Sequence, residues 1–102
     1  MDEQKHKLES LYKLISDTWE LPAPEKYGAY AAAKTLVREL REYAVKFKMD
    51  RYTREKLGVL DDHVGVVFGL DIGSSHLAAE QYHVECLGEI KILQSEDIFG
   101  KL

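Results

Sequence analysis

The sequence predicts an α+β fold, in which an N-terminal helical hairpin packs against a C-terminal antiparallel β-hairpin. Apolar residues of the first half recur at three- and four-residue spacing, which is typical of amphipathic helices. After Gly58 apolar and polar residues alternate, which is typical of half-buried strands. The two prolines of the chain, Pro22 and Pro24, fall between the two strongest helical segments and mark the turn of the helical hairpin.

The helical hairpin is predicted to consist of a first helix over about 3–19 and a second over about 24–48. Pro24 suits the first turn of the second helix, and the alanine run 31–33 has high helix propensity. Two helices joined by so short a turn pack antiparallel. The apolar stripe of the second helix consists of Tyr30, Ala33, Val37, Leu40, Ala44 and Phe47.

A short third helix is predicted over 51–57. Asp50 has the side chain of an N-cap residue, and Gly58 stands where a glycine commonly ends a helix. Residues 46–56 are also basic, and Tyr52 lies among the cations. We favour a solvated helix end here, although this composition can also hold phosphates or single-stranded nucleic acid. The basic residues are Lys46, Lys48, Arg51, Arg54 and Lys56.

The β-hairpin is predicted from two alternating runs, over about 63–72 and 81–93. Both runs are rich in β-branched residues, and the residues between them include a plausible Gly-Ser-Ser turn. Val67, Leu87 and Leu93 are the exceptions to the alternation. The apolar residues at even positions are Val64, Val66, Phe68, Leu70, Ile72, Tyr82, Val84, Cys86, Ile90 and Ile92.

Two questions about this segment stay open. A helix over 75–93 is the rival interpretation, because Ala78, Ala79 and Glu80 favour helix. If the hairpin forms, its edges are unpaired, and two strands alone are marginally stable in water. Pairing across a twofold axis would close one edge, so the hairpin predicts a homodimer with a four-stranded sheet.

Length and composition predict one cytoplasmic domain over 1–102. A chain of 102 residues has the size of a single domain. Cys86 is the one cysteine, so no internal disulfide is possible, which fits a reducing compartment. The acidic start lacks the features of a signal peptide, and no apolar run approaches the roughly 20 residues that cross a bilayer.

Charge is distributed unevenly along the chain, whose formal net charge is −4. Residues 1–60 hold 12 basic and 10 acidic side chains, whereas residues 61–102 hold 2 basic and 8 acidic ones. An acidic C-terminal half favours a protein partner with a basic surface and disfavours duplex nucleic acid. We therefore predict a small non-catalytic binding or regulatory protein, of the accessory, immunity or phage-inhibitor kind. Its predicted partner-binding residues are Asp61, Asp62, Glu85 and Glu89.

The segment 66–75, Val-Val-Phe-Gly-Leu-Asp-Ile-Gly-Ser-Ser, resembles the first phosphate-binding hairpin of the actin/Hsp70 ATPase superfamily. There a strand ends in an Asp-Ile-Gly-Ser/Thr turn, whose aspartate works near the metal and whose amides approach the phosphates. The resemblance covers ten of the 102 residues. It implies a strand-turn-strand and suggests an alternative function, the binding of a phosphorylated or nucleotide-like small molecule. The candidate ligand-binding residues are Asp71, Gly73, Ser74, Ser75, Arg51 and Arg54.

No catalytic residue, cofactor or metal site is predicted. His63 and His83 would lie on the polar face of the predicted sheet, but no His-x₃-His or Cys-x₂-Cys spacing supports a metal site. Cys86 and His83 would point to opposite faces of a strand, which separates a nucleophile from its base. An enzyme is therefore the least favoured class.

Overall fold

Four helices account for nearly all of the chain that the structure, a computed structural model, describes, namely residues 2–73 and 76–99. They are α1 (Asp2–Thr18), α2 (Ala23–Lys46), α3 (Arg51–Gly73) and α4 (His76–Ser95). The described residues form no strand. The molecule measures 39 × 21 × 20 Å, which matches helices of this length lying side by side.

The helices form an antiparallel up-down-up-down bundle. α1 packs on α2, α2 on α3 and α3 on α4, and α4 closes back on α1. Lys5 near the start of α1 pairs with Asp97 just beyond the end of α4, at 3.3 Å. His83 near the start of α4 reaches the Ile15 carbonyl near the end of α1. Each helix therefore contacts two neighbours, as in a four-helix bundle.

The core lies along the bundle axis and follows a helical spacing of three and four residues. The fully buried positions within the helices belong to such stripes, which turn one side of each helix towards the axis, and Phe99 adds to the core from beyond the end of α4. The stripe of α3 consists of Leu57, Leu60, Val64 and Val67. The stripe of α4 consists of Ala79, His83, Cys86, Ile90 and Leu93.

The predicted β-hairpin is wrong, because 63–72 lies within α3 and 81–93 lies within α4. A strand would place Val64 and Val66 on the same face, but Val64 is 1% exposed and Val66 is 39% exposed. Val67, an exception to the alternation, is buried. The fold is therefore all-α. The α+β prediction fails because the segments that show alternation also contain apolar residues at three- and four-residue spacing, and this spacing forms the core.

Two further predictions lose their basis with the hairpin. Without a strand in the described residues there is no open sheet edge, so the argument for a dimer with a four-stranded sheet is withdrawn. The resemblance to a phosphate-binding hairpin also lacks its strand, because residues 66–73 continue α3. Ser74 and Ser75 lie outside the described residues.

The third helix begins as predicted and ends much later. Asp50 caps α3, since the amide of Thr53 donates to Asp50 Oδ1 at 3.0 Å. Gly58 lies inside the helix rather than after it, and α3 continues for fifteen further residues to Gly73. A glycine within an apolar helical stripe lowers helix propensity without ending the helix when tertiary packing supports it.

The turn between α2 and α3 projects two side chains into solvent. Lys48 adopts a left-handed conformation with a φ of 52°, and the Met49 amide donates to the Ala44 carbonyl at 2.9 Å. Met49 then returns to the core, with 7% of its surface exposed. Phe47 and Lys48 stay on the outside of the turn.

Replacing Gly69 or Gly88 by alanine should raise the free energy of unfolding by about 0.5–1 kcal/mol each, because alanine favours helix and restricts the unfolded chain. Both glycines lie within helices, and an added Cβ would meet no atom within 4 Å. Urea denaturation followed by circular dichroism measures the change. An unchanged or lower stability in both variants would contradict helices at these positions.

Candidate functional site

A buried polar cluster joins α2 to α3 near one end of the bundle. The Asp71 side chain is 1% exposed and that of Lys26 is 9% exposed. Lys26 Nζ donates to Asp71 Oδ2 at 2.7 Å, and the Tyr30 hydroxyl donates to the same oxygen at 2.8 Å. Burial and the hydrogen bond to Asp71 raise the pKa of Tyr30. Asp71, a predicted ligand-binding residue, therefore belongs to the interior.

Trp19 and His83 cover the same end of the bundle. Their rings stack with centroids 4.4 Å apart, and Lys26 Nζ lies 5.6 Å from the centroid of the Trp19 ring. His83 Nε2 donates to the Ile15 carbonyl at 2.9 Å, because a carbonyl oxygen can only accept. His83 thus links α4 to α1.

Cys86 is a core residue with an unreactive thiol. It is fully buried, and burial raises its pKa to about 12, with a further contribution from the carboxylate of Glu89. The thiolate is the nucleophilic form of cysteine, so this environment opposes nucleophilic chemistry. The geometry therefore supplies no activated nucleophile at this cysteine.

A second ionic cluster lies between α2 and α3, nearer the middle of the bundle. Lys34 Nζ donates to Asp61 Oδ1 at 2.6 Å, and Arg41 Nη1 donates to Asp61 Oδ2 at 2.7 Å. Burial opposes ionisation of Asp61, but the hydrogen bonds and charges of the two cations outweigh it and lower its pKa. Gly58 and Gly65, which flank Asp61 on α3, leave room for the ends of both cations.

The seam between α3 and α4 is lined by polar and aromatic contacts. His63 Nδ1 lies 2.6 Å from Glu89 Oε1, and the His63 ring meets Tyr82 edge to face at 6.0 Å. Tyr52 donates a hydrogen bond of 2.8 Å to Glu96 at one end of the seam. Glu89 Oε2 is buried and accepts no hydrogen bond from any of the described residues. These contacts fix how the antiparallel helices α3 and α4 lie against each other.

An acidic face lies on the outer side of this seam, and we define it by Val59, Asp62 and Val66 of α3 and Glu85 and Ile92 of α4. The α3 residues follow an i, i+3, i+7 spacing and so form one stripe. The α4 residues are seven positions apart and form another. The three aliphatic side chains are 39–49% exposed. In the described part of the chain, no cation forms an ion pair with either acid.

The structure separates the four predicted partner-binding residues. Asp62 and Glu85 lie exposed on the acidic face, and Glu89 lies beside them at the seam, bound to His63. Asp61 instead faces α2, where two cations neutralise it. From the sequence, the exposed aliphatic residues of the face were not identified as functional. Their signal is that they lie outside the buried stripes of α3 and α4, whose residues recur every three or four positions.

The predicted ligand-binding residues are not brought together. Arg51 and Arg54 lie in the first turn of α3 and Gly73 is its last residue, so roughly 33 Å of helix separates the two groups. Asp71 is held by Lys26 and Tyr30, and the two serines lie outside the described residues. The described residues also contain no group of three or more His, Cys, Asp or Glu side chains that could hold a metal ion.

Comparison with known proteins assigns no family. No protein-family model matches the chain, and no match was found among curated proteins or solved structures. Each helix in the described ranges is too short or too polar to cross a bilayer. The fold and its surface therefore define an antiparallel four-helix bundle with an acidic face, and the functional argument depends on the residues themselves.

Proposed function

We propose that this is a small non-catalytic binding protein whose acidic face captures a basic amphipathic helix of a partner protein. The observation that carries the proposal is the exposed aliphatic group at the centre of the face, with Val59 44%, Val66 39% and Ile92 49% exposed. Asp62 and Glu85 flank this group, and no cation of the described residues forms an ion pair with either of them.

The two kinds of side chain have different roles in binding. Burial of aliphatic surface supplies free energy, at roughly 25 cal/mol per Å² removed from water. The carboxylates select a basic partner and speed its approach, because opposite charges steer encounter and like charges repel the wrong partners. An apolar centre with a charged rim is also the usual composition of a protein interface.

A helix is the partner element that fits this face best. Two antiparallel helices leave a groove along their seam, and an amphipathic helix can lie in it with its apolar side inward. Its apolar residues would recur at i, i+3, i+4 and i+7, with Lys and Arg beside them. The cytoplasmic location predicted from the single cysteine stays a prediction.

Charge reversal of the two exposed acids, Asp62 and Glu85, tests the electrostatic part of the proposal. Against an immobilised synthetic helix of leucine and lysine, Asp62→Lys/Glu85→Lys should raise the dissociation constant about tenfold, equivalent to about 1.4 kcal/mol. Asp17→Lys/Glu20→Lys is the matched control, because it makes the same charge change at exposed positions near the end of α1. If both pairs weaken binding equally, net charge rather than the acidic face is responsible.

Removal of the aliphatic centre tests the apolar part. Val59→Ser/Val66→Ser should weaken binding to the same peptide by about tenfold or more, because each buried methyl-rich side chain contributes of the order of 1 kcal/mol. Tyr27→Ser/Val45→Ser is the control, since these residues are 55% and 66% exposed and lie on α2 rather than on α3 or α4. Undiminished binding by the α3 pair would exclude the acidic face as the docking site.

A further inference from the structure

The turn between α2 and α3 and the two helix ends beside it form a second charged surface. We call it the basic corner and define it by Lys46, Phe47, Lys48, Arg51, Tyr52 and Arg54. All of these side chains are exposed. The basic corner shares no residue with the acidic face. Tyr52 comes nearest to it, because its hydroxyl donates to Glu96 at one end of the seam between α3 and α4.

Most cations of the basic corner are free to bind an anion. Among the described residues, no acidic side chain forms an ion pair with Lys46, Lys48 or Arg54. Arg51 is paired with Glu55 at 2.7 Å, but its side chain is 85% exposed. The local charge is therefore positive, although the whole chain carries a formal charge of −4.

Two aromatic rings stand among these cations. Phe47 is 52% exposed and Tyr52 is 45% exposed, so both rings are accessible to a ligand. Lys46 Nζ lies 5.6 Å from the centroid of Phe47, and Lys56 Nζ lies 5.4 Å from that of Tyr52. Cations beside exposed rings match the chemistry of a nucleotide, which has a phosphate and a flat base.

A shallow concavity on α2 adjoins the basic corner. It measures about 430 Å³ and is lined by Lys46, Val45, Glu42, Arg38 and Arg41. Arg38 is paired with Glu42 at 3.7 Å, and Arg41 is paired with Asp61 at 2.7 Å. We therefore expect the phosphate contacts to come from Lys46 and the other cations of the corner.

We infer that the basic corner binds single-stranded nucleic acid, with Lys46, Lys48 and Arg54 contacting phosphates and the rings of Phe47 and Tyr52 stacking on bases. Unpaired bases can stack on surface rings, whereas the bases of a duplex are already stacked within it. This inference does not depend on the acidic face.

Fluorescence anisotropy with a labelled oligothymidylate of about 20 nucleotides tests the charges, against a duplex of the same length. Three phosphate contacts predict a slope of about −2 for the logarithm of affinity against the logarithm of salt concentration. Lys48→Gln/Arg54→Gln should weaken binding about tenfold at low salt and bring the slope towards about −0.7. Lys13→Gln/Lys91→Gln removes the same charge elsewhere on the surface and should leave both quantities unchanged.

Substitution of the rings tests stacking separately. Phe47→Ala/Tyr52→Ala should weaken binding by at least about tenfold, as expected when stacked bases are lost. Tyr52→Phe, which loses only the bond to Glu96, should bind normally, and so should Tyr27→Ala, which removes a 55% exposed ring elsewhere on α2. Melting temperatures of all variants identify any loss of folding.

Three outcomes would overturn the inference. One is the absence of binding to the oligothymidylate at low salt. Another is equal binding of duplex and single strand, because the surface would then be a general polyanion site. The third is equal weakening by the corner and control variants, which would assign any binding to net charge alone.

Discussion

Replacing Ile90 by alanine should lower the free energy of unfolding by about 2–5 kcal/mol, whereas the same change at Ile92 should alter it by no more than about 0.5 kcal/mol. Ile90 is fully buried in the bundle core, and Ile92 is 49% exposed. The large cost at Ile90 combines lost burial with the cavity that remains. Chemical denaturation of both variants gives the two values.

The pair of isoleucines also distinguishes the two folds. They are two residues apart, so a strand would bury both on one face and a helix turns them about 200° apart. Both variants lose the same atoms and gain the same helix propensity. Comparable destabilisation at both positions would contradict α4 and restore the strand interpretation of 81–93.

Replacing Asp71 by alanine should destabilise the protein by about 3–5 kcal/mol, because the ammonium group of Lys26 would remain buried without its partner. The reciprocal change Lys26→Met should also destabilise the protein, since the buried carboxylate of Asp71 would lose the ammonium group that donates to it at 2.7 Å. Thermal and urea unfolding would measure both losses.

The double variant separates loss of an ion pair from loss of packing. Lys26→Met/Asp71→Leu replaces both charges with apolar groups of similar size, so its cost should be smaller than the sum of the single changes. A coupling free energy near zero in this cycle would show that the two side chains do not stabilise each other in the folded protein.

The sequence predicted the first half of the bundle well and the second half wrongly. In α2 the apolar stripe has one helical spacing and no competing alternation, and the prolines mark its start, so the predicted and observed ends agree within two residues. In α3 an additional set of apolar residues, including Val66 and Leu70, produces an alternation that imitates a strand. Val67 and Leu93, treated as exceptions, belonged to the helical stripe.

The glycines added to the error. Gly58, Gly65 and Gly69 favour a break or a strand when they are considered locally. In the bundle, Gly58 and Gly65 flank a carboxylate that receives two long cations from α2. The space that these glycines leave matters only for contacts between residues about twenty or more positions apart. A local sequence pattern does not contain such contacts.

The candidate surfaces were predictable only in part. The charge excess of the second half correctly indicated exposed acids at Asp62 and Glu85. The charge count could not indicate that Asp61, the neighbour of Asp62, faces two cations across the bundle. Consecutive residues of a helix point about 100° apart, so two adjacent acids can have different surroundings, which a count of charges does not distinguish.

The two ionic clusters between α2 and α3 also determine the register of these helices. Apolar layers repeat every three or four residues, so a shift of α2 by seven residues, about 10.5 Å, would bring similar apolar layers together again. Such a shift would place Ala33 opposite Asp71, where Lys26 now lies, and would remove the ammonium group from the buried carboxylate. The two ionic clusters thus select one alignment of α2 against α3 among several in which the apolar layers would also match.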